Sequence, residues 1–124
     1  MKLISFIFPC YNEEENVLDL YDQVTAICKK IKKYKYEFIF IDNASEDNTV
    51  SVLKQMAKKD KRVKIIVNIK NFGWIRSPYY GMLQAQGDAV IYMASDLQDP
   101  PALIPDFLSK WEKGSKIVVG VKNK

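Results

Sequence analysis

The 124-residue sequence predicts an α/β fold: a doubly wound, mostly parallel sheet with helices on both faces, in one domain spanning residues 1–124. Three observations predict it. Short apolar runs alternate with longer segments of helical period, the pattern of βαβ units. Apolar residues make up 48% of the chain, enough for one core. Unusual polar residues gather directly after the apolar runs, where open parallel sheets bind their ligands.

The elements follow in order. Residues 3–8 form the first strand, stopped by Pro9. Asn12 is expected to cap the next helix, with Glu15 three residues on completing a capping box. Val17, Leu20, Tyr21, Val24, Ile27, Cys28 and Ile31 recur at steps of three and four, so one helical stripe faces the sheet and Cys28 belongs to the core. Residues 38–41 form a second strand ending at Asp42. A polar loop over 42–48 leads to a helix that turns Val50, Leu53, Met56 and Ala57 inward. Residues 63–67 form the third strand. Ser77 before Pro78 reads as a helix start and Gly87 as its stop. Residues 89–93 form the fourth strand. Asp99, before Pro100 and Pro101, opens a last helix through Leu103, Phe107, Leu108 and Trp111, closed by Gly114. Residues 117–121 form a fifth strand. Right-handed crossovers between parallel strands leave few topologies for this order.

Composition excludes several chemistries. With no His, neither a Ser-His-Asp triad, an imidazole base nor a zinc site needing imidazole can form within the chain. Chemistry falls to carboxylates, Lys, Tyr or a hard metal ion. The net charge of +4 is too small to imply a nucleic-acid groove, so no nucleic-acid partner is expected. Cys10 and Cys28 lack CxxC spacing; they suit reduced thiols in a cytoplasmic protein, with a disulfide as the alternative. No segment reaches the about 20 apolar residues a membrane span needs. Glu13, Glu14 and Glu15 after the apolar start do not suit a signal peptide. Neither GxGxxG nor GxxxxGK[ST] is present, which disfavours a dinucleotide oxidoreductase and a P-loop phosphotransferase. Lys29, Lys30, Lys32, Lys33 and Lys35 suit a solvated helix end, with an anionic lipid contact as the alternative.

The candidate functional residues follow the strands. Pro9, Tyr11, Asn12 and Glu13 follow the first; Asp42, Asn43 and Ser45 the second; Asn68, Asn71, Phe72 and Gly73 the third; Ser95, Asp96, Gln98 and Asp99 the fourth. Asp96 and Asp99 offer hard oxygen ligands to Mg²⁺ or Mn²⁺, and such an ion would neutralise a diphosphate. Each also suits a local role, Asp99 as a helix cap and Asp96 as a turn former. Asp42 either meets a ligand or forms an Asx turn. Tyr11 stacks on a flat ring or roofs the sheet, and Glu13 on the plainer reading complements a helix dipole.

Four ordered motifs carry a resemblance: Phe8-Pro9-Cys10-Tyr11-Asn12-Glu13-Glu14-Glu15-Asn16, Ile41-Asp42-Asn43-Ala44-Ser45-Glu46-Asp47-Asn48-Thr49, Asn71-Phe72-Gly73, and Ser95-Asp96-Leu97-Gln98-Asp99-Pro100-Pro101. In order and spacing the chain resembles family 2 glycosyltransferases of the GT-A fold. It is most similar to polyprenyl-phosphate sugar transferases such as bactoprenol glucosyltransferases and dolichol-phosphate mannose synthases. The resemblance implies an inverting transfer from a nucleotide-diphosphate sugar, uridine rather than guanosine, with a divalent metal bridging the diphosphate. It implies an acceptor such as polyprenyl phosphate at the inner face of a membrane. Pro9, Tyr11, Glu13, Asp42, Ser95, Asp96 and Gln98 then contact the nucleotide, Tyr11 against the base. Asp96 is the metal ligand, and Asp99 a second candidate.

The departures are specific. Ala94 stands where the family's first DxD carboxylate is usual, Asn43 replaces an acidic residue, and Trp74, Ile75 and Arg76 follow the Asn-Phe-Gly motif in place of Lys-Glu. Proteins of the family run longer, so the resemblance implies a donor-binding portion with the catalytic base beyond it. Two alternatives remain: a donor-binding fragment without transfer, and a phosphoacceptor receiver domain, which would need an acidic pair where Cys10 and Tyr11 stand.

Overall fold

Four strands pair in parallel in the order β3-β2-β1-β4: β1 (Lys2–Cys10), β2 (Tyr34–Asp42), β3 (Val63–Val67) and β4 (Ala89–Tyr92). The structure, a computed structural model, describes residues 1–68, 70, 84–93 and 101–114. Ser95, Asp96, Gln98 and Asp99, the Asn71-Phe72-Gly73 motif, the expected helix start at Ser77 and the expected strand over 117–121 lie outside the described residues. Three helices complete the described fold: α1 (Val17–Lys30), α2 (Thr49–Lys59) and α3 (Ile104–Glu112), the last entered through a 3₁₀ turn at Pro101–Leu103.

The strands alternate sides. Ile4, Phe6, Phe8, Tyr36, Phe38 and Phe40 share a core with Leu20, Val24, Leu53, Met56, Ile104 and Leu108 of the helices. Cross-strand aromatic pairs set its floor, with ring centroids 5.4 Å apart for Phe6 and Phe38 and 4.8 Å for Phe8 and Phe40. Each such ring removed from water contributes about 1.5–3 kcal/mol. The opposite face buries Ile7, Ile39 and Ile41, with Ile66 and Ala85 packed on them; Gln84, just before Ala85, is helical.

Both long strands exceed the expected runs. β2 begins at Tyr34 because Lys2 and Leu3 of β1 pair with Tyr34 and Lys35, and Tyr34 and Tyr36 turn into the core. The charges of Lys35 and Glu37 hide that alternation in the sequence. The expected capping box also fails. α1 starts at Val17, the Asn16 and Val17 amides donate to the Glu13 carbonyl at 3.0 Å each, and Asn12 takes a left-handed φ of 52°. In α2 the buried positions are Thr49, Leu53 and Met56, while Val50 is half-buried. In α3, Leu108 is buried and Trp111 packs against the core as expected, but at the start of the helix Leu103 is 37% exposed and Ile104 is fully buried, the chain entering through the 3₁₀ turn at Pro101–Leu103. Gly114 closes α3 as expected, at φ 105° with its amide on the Trp111 carbonyl.

β1 lies between β2 and β4, so the strand order reverses at the β1–β4 boundary. In open α/β sheets the ligand crevice opens there, outside the carboxyl ends.

Candidate functional site

Cys10 stands opposite Asp42, and Asp42 opposite Val67, so three strands end level with one another. Backbone bonds fasten the exits: the Asn43 amide donates to the Cys10 carbonyl and the Asn68 amide to the Asp42 carbonyl, each at 2.9 Å. The Asn68 side-chain amide donates to the Asn43 Oδ1 at 2.9 Å. Pro9 lies within β1, paired with Ile41 of β2, two residues beyond the described β1–β4 ladder, which runs to Ile7 and Tyr92.

The loops after β1 and β2 are stitched into one surface. Ala44 takes a left-handed φ of 61°, which turns the chain so that the Ser45 amide donates to Asp42 Oδ2 at 2.9 Å and the Ser45 hydroxyl to Asp42 Oδ1. The Ser45 hydroxyl oxygen also accepts the Asn12 amide at 2.9 Å. Asn12 Oδ1 accepts the Glu46 amide at 2.8 Å. Further along, the Glu13 amide donates to the Thr49 hydroxyl oxygen at 2.9 Å and the Glu14 amide to Asp47 Oδ2 at 3.2 Å. Burial pushes the Asp47 carboxyl up, but hydrogen bonds from the Thr49 hydroxyl and amide and the Glu14 amide outweigh it and hold Asp47 below the usual carboxylate range.

The structure thus brings Pro9, Tyr11, Glu13 and Asp42 to one edge of the sheet. Asp42 is fully buried and forms the Asx-type turn that was its plainer reading; each of its oxygens keeps further acceptor capacity beyond Ser45. Tyr11 is 38% exposed, so its ring is open to a flat partner. Glu13 accepts from the Asn16 side chain at 2.9 Å, a local tie across the turn before α1. β4 runs to the same edge, where the Met93 amide donates to the Ile7 carbonyl at 3.0 Å. Asp96 follows Met93 by three positions in the sequence, outside the described residues with Ser95, Gln98 and Asp99.

Sequence reasoning missed the bridging roles of Asn12, Ser45, Asp47 and Thr49. A signal for one of them existed. Asn tolerates a left-handed backbone better than most residues, so Asn12 directly after a strand and Tyr11 suits a turn as well as a cap.

Carboxylates described at this edge are already engaged: Asp42 by Ser45, Asp47 by Thr49 and Glu14, Glu13 by Asn16. Among the described residues no three acidic or Cys side chains group as a metal site. Elsewhere, a groove of about 530 Å³ opens at the opposite end of α1, lined by Tyr21, Cys28, Tyr36 and Arg62 among others. Burial pushes the Cys28 thiol up to about 12, which keeps it protonated and a poor nucleophile. Both cysteines are buried and unbridged, as the reduced-thiol expectation requires.

Comparisons with known proteins agree with this architecture. Residues 5–123 match the family described as Glycosyl transferase family 2. An undecaprenyl-phosphate 4-deoxy-4-formamido-L-arabinose transferase of Pseudomonas fluorescens is 36% identical over 97% of this chain and 35% of its own length. A bactoprenol glucosyl transferase of Shigella phage SfV is 35% identical over 97% of this chain and 39% of its own length. The chain therefore spans little more than a third of these relatives. Among solved structures, mannosyl-3-phosphoglycerate synthase from Rubrobacter xylanophilus matches with a TM-score of 0.71 at 20% identity, covering 86% of this chain and 35% of that one. The mannosyltransferase PcManGT from Pyrobaculum calidifontis, in complex with GDP-Man and Mn²⁺, matches with a TM-score of 0.65 at 20% identity, covering 78% of this chain and 32% of that one. These two likenesses bear on the fold, and the fold they share is the one described above. A family match over nearly the whole sequence, with relatives above 30% identity, leaves no place for a receiver domain: the chain belongs to glycosyl transferase family 2.

Proposed function

We propose that this chain is the donor-binding part of a glycosyltransferase that takes a nucleotide-diphosphate sugar together with a divalent metal ion and passes the sugar to an acceptor such as polyprenyl phosphate. One observation carries the reading: the loops after β1 and β2 are locked together through Asn12, Ser45 and Asp42, beside an exposed Tyr11, at the edge where the strand order reverses. The names of the family's relatives support the lipid-linked acceptor, and UDP, as in the resemblance, is the expected nucleotide.

In this reading Tyr11 stacks on the base, and Asp42, held rigid by Ser45, accepts from the base or ribose. Pro9 and Glu13 shape the wall. Ser95, Asp96 and Gln98 take the diphosphate side, with Asp96 as the metal ligand and Asp99 as a second candidate. Its hard oxygen donors suit Mg²⁺ or Mn²⁺. When bound, the ion stabilises the charge that grows on the departing nucleoside diphosphate, a contribution of several kcal/mol that needs no histidine. This reading gives none of these residues the role of taking the acceptor's proton.

Calorimetric titration with UDP, UDP-glucose, GDP and GDP-mannose, with and without Mn²⁺, tests the reading. Metal-enhanced binding of the uridine ligands is expected, and no binding of any at millimolar concentration overturns it. Transfer to polyprenyl phosphate, assayed on the same chain, then separates a complete transferase from a donor-binding fragment.

A further inference from the structure

The buried polar groups outside the site converge on one place. Glu37 of β2 is 4% exposed and Ser5 of β1 is fully buried, and both lie on the sheet face otherwise lined by Ile7, Ile39 and Ile41. Such a carboxylate is costly to bury unless it is bonded. Glu37 Oε1 accepts the Ser5 hydroxyl at 2.8 Å and the Gln86 amide at 3.0 Å, and Oε2 accepts Lys64 Nζ at 2.9 Å. The Ser5 oxygen in turn accepts the Gly87 amide at 2.9 Å. One residue on, the Asp88 amide donates to the Leu3 carbonyl at 2.7 Å, while Asp88 Oδ2 accepts the Leu3 amide at 2.8 Å. Two strands thus hold the turn 86–88, which launches β4, and Lys64 of β3 braces Glu37 from the other side.

β4 needs such a hold. Among the described residues it has four residues, and its ladder with β1 covers Ile4–Ala89 to Ile7–Tyr92. A slip of two positions would keep every side chain on its face, so the alternating pattern alone does not forbid it. Gly87 does. A Cβ there would lie 2.4 Å from Ser5 Oγ and 2.9 Å from the Leu3 carbonyl oxygen, and Gly87 is the only glycine among residues 84–93. No other residue of that stretch fits against Ser5.

We propose that Glu37, with Ser5, Lys64 and Gly87, is a register lock for β4, and that Glu37 is thereby a positioning residue for the metal-dependent part of nucleotide binding. The metal part rests on the proposed function, in which the chain leaving β4 supplies Asp96. Tyr11 and Asp42 stand on loops fastened by separate bonds, so the metal-free part of binding does not depend on the lock.

Three variants test this: Glu37→Gln, which sets an amide NH₂ against Lys64 or Ser5; Gly87→Ala, which forces the turn outward without changing charge; and Lys64→Gln, at a half-exposed position where folding is least at risk. The readouts are amide hydrogen exchange at Met93, the Mn²⁺ concentration for half-maximal enhancement of UDP binding, and UDP affinity without metal. Faster exchange at Met93 is expected in each variant, with a roughly 10- to 100-fold higher Mn²⁺ requirement in Glu37→Gln and Gly87→Ala and unchanged metal-free affinity. Adding Lys64→Glu to Glu37→Gln restores a donor–acceptor pair and is expected to recover the wild-type requirement. Wild-type exchange at Met93 in folded variants overturns the lock. An unchanged Mn²⁺ requirement, or equal losses with and without metal, overturns the positioning role. If the wild-type chain binds no nucleotide under any condition, the functional reading falls and the positioning role falls with it, while exchange at Met93 in Lys64→Gln still decides the lock.

Discussion

Asn12 and Asp42 hold the candidate site in different ways, and substitution separates them. Asn12 combines a left-handed backbone with an oxygen that accepts the Glu46 amide across the two loops. Asn12→Ala loses both the tolerance and the bond, and is expected to lower unfolding free energy by about 1–2 kcal/mol in a denaturant titration. Asp42 is fully buried and accepts twice from Ser45. Asp42→Asn keeps the shape but puts an amide NH₂ on one of those donors, so a loss of about 1–3 kcal/mol in stability is expected together with weaker nucleotide binding. Tyr11 is the contrasting case, because its ring is partly open to solvent. Tyr11→Ala is expected to weaken nucleotide binding by about 1–3 kcal/mol, the worth of a base stack, with little change in the unfolding midpoint. An unchanged affinity measured by calorimetry would remove Tyr11 from the site. Among these residues the sequence showed which side chains flank the strand ends. It did not show which serve the ligand and which serve the loops, since an Asp after a buried strand suits both.

At the level of elements, periodicity was the legible part. The stripe from Val17 to Ile31 packs on the sheet as expected, and β3 has the expected bounds. Leu53, fully buried between α2 and the sheet, gives a direct check: Leu53→Ala is expected to cost about 2–5 kcal/mol by chemical denaturation, far more than Leu18→Ala on the exposed side of α1. Boundaries were less legible. α1 begins five residues after the expected cap because the segment before it spends its polar groups on the neighbouring loop, a partner distant in sequence. The start of β2 was hidden because Glu37 breaks an apolar run, and its charge is tolerated only where Ser5, Lys64 and the Gln86 amide meet it.

Across the molecule, charge is coupled to stability away from the candidate site. The Arg62 guanidinium beside Asp60, helped by the Tyr21 hydroxyl, holds the Asp60 carboxyl down to about 2 from an ordinary 3.8. Its stabilising effect is complete above pH 3.8 and disappears as the pH falls through about 2. Burial, with Asp60 alongside, pushes the Tyr21 hydroxyl up to about 12 from 10.0, so that group stabilises fully below pH 10.0 and ceases to do so as the pH rises through about 12. Thermal unfolding followed across pH is expected to fall off between about pH 4 and 2, and Asp60→Asn to flatten that acid limb. An acid limb unchanged by Asp60→Asn would place the titration elsewhere.

The sequence by itself determined the fold class, the helix stripes that become the core, the lack of imidazole chemistry and the four motifs of the family, because each depends on residue type and short-range period. Tertiary structure decided how β1 and β2 pair over their full lengths, that Asn12 bridges two loops and caps nothing, and that Glu37 and Gly87 meet Ser5 where β4 begins. Those outcomes depend on contacts between residues more than thirty positions apart in the chain, as in the Ser5–Glu37 and Asn12–Ser45 bonds, and no local pattern encodes which distant group will arrive.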